Sequence, residues 1–470
     1  MNTQILKDKI KNDEVLNNLA SFFPDNNIYL VGGSVRDYLL GKKTCDRDLI
    51  VDGVAAKEFS LAVAEFFGGK FIPLDEVNNI YRVVLPDKNN YLDITNPVGG
   101  SLENDINRRD LTVNAIAVNI RTCEVFDPTG GITDIENRII RGIKEVNFTD
   151  DPLRLLRVFR FYSILGFDIC DELMSIARKH AELISKPAKE RVVYELMKLF
   201  SGEYAADALL KMDECGILEL IFPFVKELKQ VPPNLHHHLY LFNHCVETVR
   251  QVGILYEKSV PDVKSHMDKV DFGGFSRIAH LKLAAFMHDI GKFSTWTIEP
   301  NTGRHRFIKH DDVGAKLAVQ FLKSMKFSNK QINYISYIIK KHMYPTMVVS
   351  APLLNDKVML RYVRKSENNA IDTILIAQAD RLCARGSEVT DDMVKENITL
   401  LNKLLDFYLN AQKTLQPLPK LLDGNEVMEI LNIKPSPQLG NILEKLHEAQ
   451  VSGEVTTKEQ AIEFIKFILC

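Results

Sequence analysis

Asp46 and Asp48 stand two apart at the head of the run DRDLIV (46–51). Side chains in a β-strand alternate between faces, so both carboxylates are expected on one side, where they can chelate a pair of divalent ions. Just upstream, LVGGSVRDYLLG (30–41) passes from apolar residues through Gly32-Gly33-Ser34 into a helical pattern. Glycine lets backbone N–H groups approach an anion, and the start of a helix adds positive potential, so a phosphate site is expected beside the metal site. The combination points to phosphoryl chemistry.

Three further stretches extend this site. Asp93 lies in YLDIT (91–95), the second arm of a hairpin signature whose first arm is 79–85; it is either a third carboxylate or a solvated strand residue. If residues 109–116 are helical, Asp110 and Asn114 lie four apart on one face with Arg109 adjacent, which suits a ribose and a triphosphate, or else a capped surface helix. In DDPLRLLRVFRF (150–161), Pro152 suits a first helical turn, and Asp151, Arg154, Arg157 and Arg160 recur every three residues as a polar ridge. Such a ridge is either a solvated face or a base reader. A carboxylate accepts from an exocyclic amino group and an arginine donates to ring acceptors, which fits cytosine and adenine; the carbonyls of uracil and guanine meet the carboxylate badly. By contrast, Asp127 and Gly130-Gly131 in DPTGG (127–131) are expected to be structural.

The second half carries a different set. His244, His288-Asp289, His310, His342 and Asp380 each lie in or against an apolar helical run, as in LKLAAFMHDIGK (281–292). Histidine and carboxylate are natural ligands for borderline divalent metals, and a His-Asp doublet can serve two ions or one ion and a water. A single buried histidine is commonly a satisfied core residue, but several together favour a metal site. His236-His237-His238 is expected to be a polar linker run.

A mixed α/β region must position the first set and helices the second. The expected fold class is therefore α+β, with boundaries suggested by Pro223 and Pro232-Pro233 and a further turn at 417–419. A chain of 470 residues with 46% hydrophobic and 26% charged residues exceeds one core and excludes a disordered protein. No run approaches the roughly 20 apolar residues of a membrane span and the first residues lack a signal-peptide core, so a cytosolic protein is expected. Seven cysteines without a C-x-x-C pair indicate neither structural zinc nor a disulfide framework. A net charge of −3 argues against general nucleic-acid affinity but averages over any local basic groove. The sequence carries no signal for an oligomeric state.

Taken together, LVGGSVRDYLLG with DRD, RRDLTVNAIA (108–117), DPTGG, DDPLRLLRVFRF and KERVVYELMKLF (189–200) resemble the motifs of class II tRNA nucleotidyltransferases, the CCA-adding enzymes and bacterial poly(A) polymerases, in the form carrying an HD domain. The resemblance implies a polymerase-beta-like nucleotidyltransferase head (1–150), a helical neck that binds base and tRNA (151–228), an HD phosphohydrolase domain (229–395) and a helical tail that binds tRNA (396–470). It implies addition of C, C and A to tRNA from CTP and ATP, with a poly(A) polymerase, an A-only or CC-only enzyme, and an HD phosphohydrolase using its head only to bind RNA as alternatives. Asp46, Asp48 and Asp93 are then catalytic, Asp46 and Asp48 holding Mg2+. Gly32, Gly33, Ser34, Arg36, Asp37, Arg109, Asp110, Asn114, Asp151, Arg154, Arg157 and Arg160 form the nucleotide site. His244, His288, Asp289, His310, His342 and Asp380 match the ligands of a two-metal HD site, implying phosphatase or cyclic phosphodiesterase activity. Asp150 stands where the base-reading motif usually has Glu.

Overall fold

Short alternating strands in the first half build one mixed sheet. In the computed structural model, which describes residues 2–42, 44–352, 354–414 and 420–469, its strands are β1 (Asn27–Val31), β2 (Asp46–Asp52), β3 (Lys70–Asp75), β4 (Ile80–Val84), β5 (Tyr91–Thr95), β6 (Ala117–Asn119) and β7 (Val125–Phe126), in the order β3-β4-β5-β2-β1-β6-β7. The expected hairpin is β4 and β5, paired antiparallel. β2 and β5 run parallel, and their register sets Asp48 opposite Asp93 and Asp46 opposite Tyr91.

Arg47, between the two carboxylates, points to the other face and is buried. Its Nε lies 2.8 Å from Asp13 Oδ2, and its Nη1 donates to Asn90 Oδ1 at 3.0 Å. Asp13 also accepts the Tyr38 hydroxyl and caps the Glu14–Phe22 helix through the Val15 and Leu16 amides. Strand β2 is thus fastened from behind by an ion pair sheltered from water, which fixes the direction of Asp46 and Asp48.

The helix expected over 109–116 does not form. A helix spans Leu102–Asn107 instead, and only a 3-10 turn, Thr112–Asn114, follows. Backbone bonds to residues 141–143 account for the difference: Thr112 N–H donates to the Arg141 carbonyl, Ile143 N–H donates to the Asp110 carbonyl, and Leu111 bridges Gly142. These tertiary pairings outweigh a local spacing whose propensity is only a weak prior. Gly131 lets the Gly131–Glu136 helix sit against this turn, since a Cβ there would come within 2.2 Å of the Thr112 carbonyl oxygen. Asp127 accepts from the Gly131 and Ile132 amides, the structural role expected of it.

The chain divides into two compact units, Met1–Pro223 and Phe224–Cys470. The first closes with helices, among them Leu153–Leu165 packed on Lys189–Ser201 and Ala205–Glu214 through Leu155, Leu156 and Phe159. In the second, the Arg277–Met287 helix is buried on every side, as expected of a helix apolar nearly all round. Leu241–Lys258, Asn329–Lys341 and Ala370–Cys383 surround it. Three later helices, Gly424–Leu431, Pro437–Ser452 and Lys458–Leu469, enclose a core of Val427, Ile442, Leu446, Ala461 and Ile465. The turn expected at 417–419 lies outside the described residues. Among the described residues no helix is long and apolar enough to cross a membrane.

Candidate active sites

The register of β2 and β5 brings Asp46, Asp48 and Asp93 together, each with an oxygen within 4.8 Å of the others. Like charges so close resist ionisation. Burial, then Asp46 and Asp93, push Asp48 up to about 7, and burial followed by Asp93 raises Asp46. Among the described residues Asp93 alone of the three is in an ion pair: Arg82 on β4 grips it with Nε on Oδ1 and Nη2 on Oδ2, both at 2.7 Å, while its guanidinium lies 4.0 Å over the Tyr91 ring. Three converging carboxylates with one arginine between them fit divalent cations.

Asp48 opens onto a cleft of about 920 Å³ lined by residues of both the sheet and the following helices. Its walls carry eight Arg and Lys side chains (Arg36, Arg108, Arg109, Arg154, Arg157, Arg160, Arg191, Lys198) against five carboxylates. A chain that is net acidic therefore holds a local cationic groove, as a triphosphate requires. The helix after the glycine turn is only Gly33–Leu39, so side chains supply more of this potential than its dipole. Gly32 has φ +71, and a Cβ there would lie 3.0 Å from Arg109 Nη1 and 3.4 Å from Asp48 Oδ2; the bare backbone lets both approach. Arg36 Nη1 donates to Asn114 Oδ1 at 2.5 Å, and Arg109 is held by Asp105 at 2.9 Å. The buried Asp110 accepts from Arg157 Nε at 2.5 Å and from the Leu111 amide; although burial raises it, Arg157 keeps its carboxyl below the usual range.

The four residues of the expected polar ridge, Asp151, Arg154, Arg157 and Arg160, all line this cleft, each with its own partner. Asp151 precedes the helix and accepts from Arg191 at 3.0 Å, and Arg154 Nη1 donates to the Arg108 and Asn147 carbonyls at 2.7 and 3.1 Å. Arg160, on the cleft wall but only 6% exposed, places Nη1 3.0 Å from Oε2 of Glu195 on the neighbouring helix. Burial and then Arg157 lower it to about 10. Ser34 and Asp37 do not line the cleft themselves: Ser34 donates to the Asp46 carbonyl at 2.7 Å and Asp37 pairs with Arg36 at 2.9 Å.

The second unit gathers its histidines at helix ends. His244 lies in the first turn of Leu241–Lys258, His310 opens His310–Ser324, His288 and His342 close Arg277–Met287 and Asn329–Lys341, and Asp380 is in the last turn of Ala370–Cys383. Nδ1 of His288, His310 and His342 lies 2.7, 2.9 and 2.7 Å from the Ala285, Phe307 and Ile339 carbonyls. A carbonyl only accepts, so Nδ1 carries a proton and each Nε2 is the atom left for a metal, the arrangement a ligating histidine needs. Those Nε2 atoms converge: His244 on His288 and His310 on His342, each at 3.3 Å, with Asp289 Oδ2 3.2 Å from His288 and Oδ1 3.3 Å from His310. His280 shows the satisfied alternative, with Nδ1 on the Ser276 carbonyl and Nε2 3.1 Å from the Gln331 amide nitrogen. Burial alone would lower His288, yet Asp289 and Asp380 push it up to about 10, so a proton sits on Nε2 until an ion takes its place. The donor set fits two divalent ions with Asp289 shared between them.

Family models match in the same order as these sites: a Poly A polymerase head domain over residues 28–141, a probable RNA and SrmB-binding site of polymerase A over 166–229, and an HD domain over 241–385. The chain is 32% identical to the A-adding tRNA nucleotidyltransferase of Deinococcus radiodurans, covering 93% of this chain and 94% of that one. It belongs to the tRNA nucleotidyltransferase family. The CC-adding tRNA nucleotidyltransferase of Thermus thermophilus is 30% identical over 95% of this chain and 94% of its own. The fold also matches a CCA-adding enzyme solved with CTP, at TM-score 0.61 and 19% identity over 99% and 97% of the chains. It likewise matches the Thermotoga maritima CCA-adding enzyme solved with tRNA, at TM-score 0.56 and 21% identity over 97% and 94%.

Sequence pattern alone does not single out several residues of this tRNA nucleotidyltransferase's candidate sites. Arg82 reads as an ordinary strand residue, and only the β4–β5 register reveals it. Arg191, Tyr194, Glu195 and Lys198 line the cleft from one face of the Lys189–Ser201 helix, at the three- and four-residue spacing that a helical reading of KERVVYELMKLF supplies. Lys292, three residues after Asp289, places Nζ 2.6 Å from Asp289 Oδ2. His237 is no linker residue: it falls within 4.8 Å of ligand atoms of His244 and Asp380.

Proposed function

We propose that this tRNA nucleotidyltransferase adds C, C and A to the 3′ end of tRNA from CTP and ATP without a template, in the cytoplasm, releasing pyrophosphate at each step. The meeting of Asp46, Asp48 and Asp93 at the edge of a cationic cleft carries this reading. These carboxylates would hold Mg2+, which when bound lowers the pKa of the tRNA 3′ hydroxyl and balances charge on the departing pyrophosphate. Arg36, Arg109 and Arg157 receive the nucleotide, with Gly32 and Gly33 allowing close approach of the phosphates. Asn114, aligned by Arg36, and Asp110, fixed by Arg157, face the ribose. Asp151 accepts from the amino group of cytosine or adenine while Arg154 donates to a ring acceptor; Arg191 holds the Asp151 carboxylate in orientation. Residues 151–228 and 396–470 hold the tRNA.

Product sizing tests this directly. A tRNA trimmed of its terminal CCA gains two residues with CTP and a third only when ATP is present; any other pattern overturns CCA addition. Two relatives at 30% identity or more are an A-adding and a CC-adding enzyme, which favours partial addition as a second reading. Under it, either the third residue or the first two never appear. A long ladder with ATP alone marks a poly(A) polymerase.

The HD residues support a second activity, metal-dependent hydrolysis of phosphate esters, including 2′,3′-cyclic phosphates. His244, His288, Asp289, His310, His342 and Asp380 would hold divalent ions that supply a nucleophilic water at neutral pH. A pocket of about 300 Å³ lined by Lys292, Arg381, His310 and Asp380 is sized for one phosphate-bearing group, with the Arg381 guanidinium beside it to balance its charge and Lys292 paired with Asp289. His288→Ala is expected to abolish hydrolysis of bis(4-nitrophenyl) phosphate and leave nucleotide transfer intact; loss of neither sinks this activity.

A further inference from the structure

Four groups of side chains in the second unit bring single ligand atoms within 4.8 Å of one another, and one of them contains His237, which no ligand pattern in the sequence included. Its Nδ1 is buried without a hydrogen-bond partner, and its ring packs edge-on against His244 with centroids 4.5 Å apart. A buried polar atom without a partner costs free energy, which a ligand bound there recovers.

His237 is also held in place rather than left loose. The Asn234 side chain accepts from the His236 and His237 amides, and Asn234 N–H donates to the His237 carbonyl at 2.8 Å. The segment is clamped to the chain just beyond Asp380: Gly386 N–H donates to the His236 carbonyl at 2.9 Å and Glu388 N–H to the Leu235 carbonyl at 3.0 Å. Gly386 is required for this, since a Cβ there would lie 2.3 Å from the Leu235 carbonyl oxygen. The clamp ties the position of His237 to the end of the helix that carries Asp380.

We propose that His237 is a ligand of one of the two HD ions, the one held by His244, His288, Asp289 and Asp380. This rests on the two-ion reading of the HD site given above. A lone pair serves a single ion, and the His237 group shares His244 and Asp380 with the others, so His237 joins their ion rather than defining a separate one. That ion then has five protein donors, and the other, on Asp289, His310 and His342, has three. Five donors and one solvent position make the near-octahedral environment of Mn2+ or Fe2+ rather than the tetrahedral site typical of Zn2+. The two positions are therefore unequal: one is filled first and kept, while the other stays open to water and substrate.

Metal-free full-length protein titrated with Mn2+, with free ion followed by electron paramagnetic resonance, tests this. Asp46→Ala/Asp48→Ala protein serves as the background, so that head ions do not contribute. That background is expected to bind two ions, one distinctly tighter. His237→Ala and His237→Gln are expected to retain both while the tighter one weakens about 10-fold or more, the scale on which groups around a metal alter affinity. Two ions of unchanged affinity in both variants overturn the role of His237 and leave the two-ion site standing. No HD ion in the background overturns both. Unchanged far-ultraviolet circular dichroism in the variants separates ligand loss from misfolding.

Discussion

Arg82 and Asp93 are joined by two parallel hydrogen bonds of 2.7 Å across the β4–β5 pairing, one to each carboxylate oxygen. This fork fixes the plane of Asp93 facing Asp48. A lysine offers one point charge and no fork. Arg82→Lys is therefore expected to raise the Mg2+ concentration needed for half-maximal transfer and to cut the saturating rate by about 10- to 100-fold, the cost of a misplaced reacting group. Melting should be nearly unchanged, because the pair is partly exposed. A Mg2+ titration of transfer identical to that of the unmodified chain refutes this role.

Asp48 supplies a pH signature whose sign follows from its environment. Its folded pKa is raised, to about 7 from 3.8, by burial and by Asp46 and Asp93. The folded state therefore holds this proton more tightly, and the stability it contributes is lost as pH rises from about 4 through 7. A divalent ion takes the proton's place, so added Mg2+ should stabilise the protein more at pH 8 than at pH 5.5. Asp48→Asn should flatten that difference. Equal Mg2+-dependent gains in Tm at both pH values contradict it.

Glu195 and Arg160 form an ion pair in which both partners are less than a tenth exposed, at 3.0 Å. Removing one partner leaves a buried charge uncompensated, which typically costs about 3–5 kcal/mol, whereas replacing both by apolar residues is far cheaper. Glu195→Ala is expected to lose stability on that scale in urea unfolding, and Arg160→Met/Glu195→Leu to lose less than either single change. A double variant less stable than both singles argues against the pair.

These side chains mark where local pattern stopped informing. Alternation around Asp46 and Asp48 shows their common face because strand geometry is local, and Pro152 announces the Leu153–Leu165 helix for the same reason. Asp93 was open between ligand and solvated residue because its place depends on a parallel pairing with a strand some forty residues away. Residues 109–116 misled because backbone bonds to 141–143 outweigh a helical spacing. Arg160 reads as a ridge residue and does line the cleft, but its pairing with Glu195 depends on a neighbouring helix that local spacing does not announce. His237 sits in a histidine run that resembles a linker, and only its clamp to Gly386 brings it to Asp380.

The choice of nucleotide gives the last prediction. Asp151 is held by Arg191 at 3.0 Å, and Arg154 is anchored by the carbonyls of Arg108 and Asn147, so both enter the cleft with fixed orientation before any base arrives. A carboxylate facing O4 of uracil sets acceptor against acceptor, and a well-oriented polar pair of this kind discriminates by about 1–3 kcal/mol, roughly 10- to 100-fold. Asp151→Ala is expected to narrow the kcat/KM ratio of CTP to UTP by that factor, mostly by losing activity with CTP. Arg191→Ala should narrow it less, since it frees the carboxylate to rotate without removing it. Both effects belong to selection rather than chemistry, so the Mg2+ dependence of transfer should be unaltered in each variant. A CTP-to-UTP ratio that survives Asp151→Ala would remove Asp151 from base recognition altogether.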